Sequence, residues 1–347
     1  MKIATVETGK GTDLESALAY ATPRAREHML VGMDELRIDG DSGELVYGDG
    51  RYTMTGRAAE RLAGRLGINP RYALKIPNDL AATNFNTFLE TAQGHAQMCV
   101  EVRPDGEHVV TGFLREGTMP VEPIQLIEAL GDRLNDNLRL HTWTSNDAGL
   151  IFRTGWQSMA VEPRVGDIVY GGADVTLYED EDVALSTRGI LLRLICTNGA
   201  TTPIMSSVRR SVRRDMGADP AARIQTALDA GEDAAQIAHG ASENLRRMTT
   251  MELADMPVEF EDRVGYVGLA CRAIASRPIR GTANIEAVAE AISTEERTLY
   301  GLYNAITRIG RDAVWDRRRE RYESAGLCLA VDPDPVAAAL LEFDSED

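Results

Sequence analysis

An α+β fold, with an antiparallel sheet laid out as hairpin, helix, strands and long helix and followed by an all-helical C-terminal region, is predicted by three observations. Two strand-like runs, Gln97 to Val102 and Glu107 to Arg115, flank Arg103-Pro104-Asp105-Gly106, which has hairpin turn chemistry. Gly189 to Cys196 is almost unbroken apolar sequence that stops at Asn198-Gly199, the pattern of a buried central strand. Between Pro220 and Met251, the residues Ile224, Leu228, Ala235, Ala238, Leu245 and Met248 form one helical stripe with Gly231 as its weak point. The chain then divides into a helical and hairpin lead-in (1–95), an α+β core (96–251) and a helical region with an acidic tail (252–347).

Taken in order, residues 13–31 predict a short helix broken near Pro23. Leu36 to Asp39 and Glu44 to Met54 alternate like strands around Asp41-Ser42-Gly43. Thr55 caps a helix with Ala58, Leu62 and Leu66 on one face, ended by Gly67 and Asn69-Pro70. A second helix is expected over Pro77 to Thr91. After the hairpin, Val121 to Leu134 is helical with Pro123 in its first turn, which costs nothing where no amide partner is needed. Leu138 to Trp143, Leu150 to Thr154 and Asp167 to Tyr178 supply further strands. Beyond Pro257 the pattern is helical: Val258 to Ser276, a piece near Ile285 to Ile292, and a helix opened by Ser293 with Glu296 three residues on, the spacing of a capping box.

The chain has 347 residues, 44% of them hydrophobic and 26% charged, so it can bury a substantial core and is not disordered throughout. No apolar run approaches the length of a membrane span and Met1 to Lys10 has no secretory pattern, so the expected location is the cytoplasm of a bacterial host. Cys99, Cys196, Cys271 and Cys328 are far apart and read as buried thiols rather than disulfides or metal ligands. A net charge of −17 argues against polyanion binding by the whole surface but leaves room for a local basic groove. The only lysines are Lys2, Lys10 and Lys75, so almost all cationic charge is arginine, the side chain suited to bidentate phosphate contacts.

That charge concentrates after the apolar strand, where Arg209, Arg210, Arg213 and Arg214 repeat as R-R-x-x-R-R. Several cations in one place suit a phosphate backbone, since each neutralised phosphate releases counterions. Arg193 interrupts the apolar run, so it either pairs with a carboxylate or faces a groove whose ligand supplies the anion. Arg188 joins it at the inner edge, and Trp156 is the candidate platform for base stacking, with core packing as its alternative role. No metal or organic cofactor is implied. Glu179 to Asp182 reads as a solvated acidic turn that lacks the spaced ligands of a calcium loop. Gly9 to Thr12 lacks the upstream glycine of a phosphate loop, and G-x-S-x-G and H-E-x-x-H are both missing. Catalytic residues are therefore unassigned. An enzyme would need a site assembled in three dimensions, with His108, His141 and the acidic region Asp174 to Asp182 as contributors.

The segments G-R-A-A-E-R-L-A-G-R-L-G-I-N-P-R-Y from Gly56, L-L-R-L-I-C-T-N-G from Leu191 and L-Y-G-L-Y-N-A-I-T-R from Leu299 resemble a phage- and plasmid-encoded family classed as a domain of unknown function. The likeness covers most of residues 50–330 and departs from the family at Leu177-Tyr178, where members often carry Asn-Ser. It implies a mobile-element protein and assigns no activity. The order of elements from Gln97 to Met251 is similar to the core of RecT-like single-strand annealing proteins, including the Red-beta group. That resemblance implies rings or filaments that hold single-stranded DNA in a groove. The expected function is thus single-stranded DNA binding, with possible annealing in phage recombination or replication, by a homo-oligomer working beside phage or host replication proteins. The alternatives are an enzyme of unknown reaction and a module that binds a host protein through its helical C-terminal half.

Overall fold

The computed structural model describes the backbone of all residues except 6–7, 74, 147–148, 165, 179–182, 195–200, 214–218, 254, 275–277, 313–315 and 344–347. Side chains at 25, 71, 73, 183–184, 193–194, 201–213, 311–312, 316–320, 327 and 342 also lie outside the description. The fold is α+β, with helices at its C-terminus. It has two sheets where the sequence suggests one.

The chain opens with β1 (Gly9–Gly11) and α1 (Leu14–Ala21), whose N-cap Asp13 accepts a 2.7 Å hydrogen bond from the Ser16 amide. The helix stops at Ala21, close to the break expected near Pro23, and the residues after it form a strand, β2 (Ala25–Gly32). The reason is a distant partner: β2 pairs along its whole length with β6 (His95–Val102), from Ala25 opposite Val102 to Gly32 opposite His95. Between them lie β3 (Arg37–Ile38), β4 (Leu45–Tyr47), β5 (Gly50–Met54), α2 (Gly56–Arg65), α3 (Pro70–Ala73) and α4 (Asn78–Leu89). Thr55 caps α2 as expected, accepting from the Ala58 amide at 3.1 Å, and Gly67 stops it at φ 73°.

The predicted hairpin is β6 with β7 (His108–Arg115), turning through Gly106 at φ 85°. It belongs with the lead-in, because the first sheet has the order β2-β6-β7-β5-β4-β3 and β5 runs parallel to β7. Leu62 of α2, Phe85 and Leu89 of α4, and Met98, Val100 and Phe113 of the hairpin close its core.

Helix α5 (Pro123–Arg133) leads to the second sheet, where β8 (Leu138–Asn146), β9 (Gly149–Arg164), β10 (Asp167–Leu177), β11 (Val183–Leu194) and β12 (Thr201–Arg213) follow β1 in an unbroken antiparallel order. Helix α6 (Pro220–Met248) crosses one face of it. Every residue of the predicted stripe is buried, each contributing roughly 0.8 kcal/mol per buried methylene. Close approach needs Gly171, since a β-carbon there would sit 3.0 Å from the Ala235 carbonyl oxygen.

The remaining helices are α7 (Phe260–Ala273), α8 (Thr282–Ile292), α9 (Leu299–Asp312), α10 (Asp316–Val331) and α11 (Asp334–Phe343). They share one core with Leu245 and Met248 of α6 and with Val169 and Leu191 of the sheet. The capping box read at Ser293 does not form. Ser293 ends α8, with its hydroxyl donating to the Glu290 carbonyl, and α9 begins only at Leu299. Cys271 lies within this core, where burial pushes its thiol pKa up to about 12, so it packs as a small apolar group. Among the described residues no single helix is long and apolar enough to cross a membrane.

Candidate functional site

Residues directly opposite on antiparallel strands point to the same face, so register alone places side chains together. One row runs across five strands of the second sheet: Thr142 on β8, Arg153 on β9, Asp174 on β10, Arg188 on β11 and Arg209 on β12. Its neighbouring row is Thr144, Ile151, Thr176, Ser186 and Ser211. The other face carries Phe152, Val175 and Leu185 toward α1, α5 and α6. The sheet is therefore amphipathic, apolar under α6 and polar on the reverse.

In the polar row, Asp174 is 3% exposed and anchors both flanking arginines. Arg153 donates from Nε and Nη2 to its two carboxylate oxygens at 2.8 and 2.9 Å, a bidentate pair. Arg188 donates to the second oxygen at 3.2 Å while its side chain stays 32% exposed. Burial pushes the Asp174 pKa up, but the charges and hydrogen bonds of Arg153 and Arg188 outweigh it and hold the carboxyl below its ordinary value. Burial likewise opposes the Arg153 charge; Asp174 overrides it, with Glu323 of α10 adding to the attraction. The described part of the row thus carries two guanidinium groups against one carboxylate, and Arg209 extends it to the outer strand.

A scan against protein-family models, a search of curated proteins and a search of solved structures find no match to this chain.

Arg209, Arg210 and Arg213 of the basic segment lie in β12, the outermost strand of its sheet, with α10 packed alongside. A strand sends adjacent residues to opposite faces. Arg209 is in register with Arg188 and shares the Asp174 face, whereas Arg210 is in register with Thr187 and shares the α6 face. Arg209 and Arg210 therefore fall on opposite faces of an edge strand instead of lining one surface. Arg213 lies opposite Val183 at the end of the strand, and Arg214 falls outside the described residues. Arg193 stands near the end of β11, opposite Val169 and Thr202. The side chains of Arg193, Arg209, Arg210 and Arg213 lie outside the description.

Trp156 is 8% exposed and packs with Leu138, Met159, Ala173 and Ala235 beneath α6, on the face away from Asp174. The two histidines of the enzyme alternative do not meet. His108 is on β7 of the first sheet beside Tyr52, and His141 is on β8 of the second beside Tyr170. The acidic turn Glu179 to Asp182 lies outside the described residues.

His141 has a different consequence. Its Nε2 is buried without a hydrogen-bond partner, and burial, reinforced by the charges of Arg153 and Arg139, lowers its pKa below the ordinary 6.5. The unfolded chain then binds the proton more readily, so stability falls as pH drops through about 6.5 toward the lower folded value. His141→Leu should lose less denaturant resistance than the wild type between pH 7.5 and 5.5; an equal loss in both would show that His141 does not contribute.

Sequence reasoning missed Arg153 and Asp174 as partners of Arg188. The available signal was their placement in strands that the turns bring into adjacent antiparallel order. It also missed a second gathering of arginines, Arg24, Arg26, Arg57 and Arg103, around a cleft between the two sheets. Residues so far apart in sequence give no local pattern.

Proposed function

We propose that this protein binds single-stranded DNA through its phosphate backbone, at the outer part of the second sheet, and serves strand annealing in recombination or replication. The observation that carries the reading is the cross-strand row Arg153, Asp174, Arg188 and Arg209, with Arg210 and Arg213 along the same outer strand. Asp174 holds Arg188 in a defined orientation while leaving it partly exposed, so one carboxylate organises cationic surface without cancelling it. In a chain of net charge −17, such a concentration of arginine gives a polyanion a local place to bind against an otherwise acidic balance. Trp156 has no part in this reading; contacts to the backbone carry it, which implies weak sequence preference. A homo-oligomer would repeat the edge along a strand and lengthen the bound segment, and phage or host replication proteins are the natural partners of such an assembly.

The test is fluorescence anisotropy of a labelled single-stranded oligonucleotide, titrated at 50 and 200 mM salt beside its duplex. Salt-sensitive binding that favours the single strand supports the reading. No binding to either form at the lower salt removes it.

A further inference from the structure

A cavity of about 410 Å³ lies between the end of α5, the middle of α6 and strands β8 to β10, on the α6 face of the second sheet. Its volume falls in the range of small-molecule pockets. The floor is apolar and buried, formed by Leu130, Leu138, Val175 and Leu228. Its walls are held by bonds within the fold. Arg133 donates to Gln225 at 2.7 Å and to Asp229, which ties α5 to α6. The Asn135 side chain accepts from the amides of Asn137 and Leu138 at 2.8 and 3.0 Å, which shapes the turn into β8.

Four polar groups of the lining are left over. Trp156 is more than nine-tenths buried, and its indole N–H has no hydrogen-bond partner among the described residues, unlike that of Trp143, which donates to Ser16 at 2.8 Å. The Trp156 nitrogen is not sealed in the core as His141 Nε2 is, so its N–H reaches the cavity that Trp156 lines. Only what enters the cavity can satisfy that donor. The Asn137 amide nitrogen is likewise unengaged among the described residues, its oxygen being taken by the Ser158 amide at 2.7 Å. At the mouth, Asp132 and Glu232 are exposed, and neither carboxylate has an ion-pair or hydrogen-bond partner among the described residues. Asp229 already matches the charge of Arg133, so the two mouth carboxylates are surplus and the cavity disfavours anions.

We propose that this cavity binds a hydroxylated organic amine of about the size of an amino sugar. Its ammonium meets the Asp132 and Glu232 carboxylates in charge-assisted hydrogen bonds, its hydroxyls accept from Trp156 and Asn137, and its carbon framework rests on the apolar floor. A plain polyol leaves the surplus charge at the mouth unmatched, and a plain alkyl amine leaves the indole N–H unsatisfied. The inference does not depend on strand binding at β12, because an acidic mouth repels the phosphates that an arginine-rich edge attracts.

The experiment follows the indole N–H resonances of the whole ¹⁵N-labelled protein at neutral pH. The tryptophans are Trp143, Trp156 and Trp315, and Trp156→Phe identifies the signal of Trp156 by its loss. Titration with glucosamine should shift that signal in a saturable way and leave Trp143 unmoved, because the Trp143 N–H is already bonded. Glucose, which has the hydroxyls without the ammonium, should bind at least about tenfold more weakly. Putrescine, which has ammonium groups without an acceptor, should shift the Trp156 signal far less. Asp132→Asn with Glu232→Gln changes only exposed side chains and should weaken glucosamine at least about tenfold. An unmoved Trp156 signal at about 10 mM glucosamine overturns the proposal. So does equal affinity for glucose and glucosamine, or undiminished glucosamine binding by the double variant, since either would show that the mouth carboxylates select nothing.

Discussion

Asp174→Asn is expected to cost about 3 kcal/mol of folding free energy, because removing one member of a buried ion pair leaves its partner charged in a poorly solvated place. Arg153, with a side chain only 22% exposed, would lose both of its short bonds to the carboxylate. Arg188→Ala should cost far less, about 1 kcal/mol, since that side chain is 32% exposed and makes one longer bond. Denaturant midpoints of the two variants give the comparison directly. Equal costs would mean that Arg153 gains little from Asp174. A useful companion is the pair Arg153→Met with Asp174→Leu, which removes both charges and should recover most of the lost stability. The acid side has a definite sign as well. The Asp174 pKa is lowered in the fold, so its contribution is complete above about 3.8 and is lost as pH falls through the lower folded value. The Asn variant lacks that component, and its stability should fall less steeply in that range.

The elements that were legible are those whose signals are local. The Arg103 to Gly106 turn, the Thr55 cap and the α6 stripe all form where the pattern places them. The failures come from partners that sequence spacing does not reveal. Arg26 to Val31 carries no strong strand pattern of its own and becomes a strand because β6, some seventy residues later, supplies its hydrogen bonds. Ser293 has the right neighbours for an N-cap, but the preceding helix reaches it first. At the candidate site, the arginines of β12 were visible as a repeat, while their division between two faces was not. A helix would have clustered them; a strand separates each adjacent pair. The cleft is the limiting case, since its four arginines come from α1–β2, α2 and the β6–β7 turn and converge only when both sheets are built.

Replacing Arg209, Arg210, Arg213 and Arg214 together by Ala should flatten the salt dependence of single-strand binding. Each phosphate contact on a single strand adds about 0.7 to the slope of log affinity against log salt, so four lost contacts reduce it by roughly 3. Between 50 and 200 mM salt, that difference amounts to roughly fiftyfold in how much affinity the wild type loses relative to the variant. The two faces of β12 allow a finer comparison. Arg209 shares its row with Arg188 and Asp174, whereas Arg210 is in register with Thr187, toward α6. If the strand lies on the polar face, Arg209→Ala should reproduce much of a fourth of the effect and Arg210→Ala almost none. Equal effects would place the backbone along the edge itself, in reach of both faces. An unchanged slope in the fourfold variant, measured on protein shown to be folded, would remove β12 from the interface.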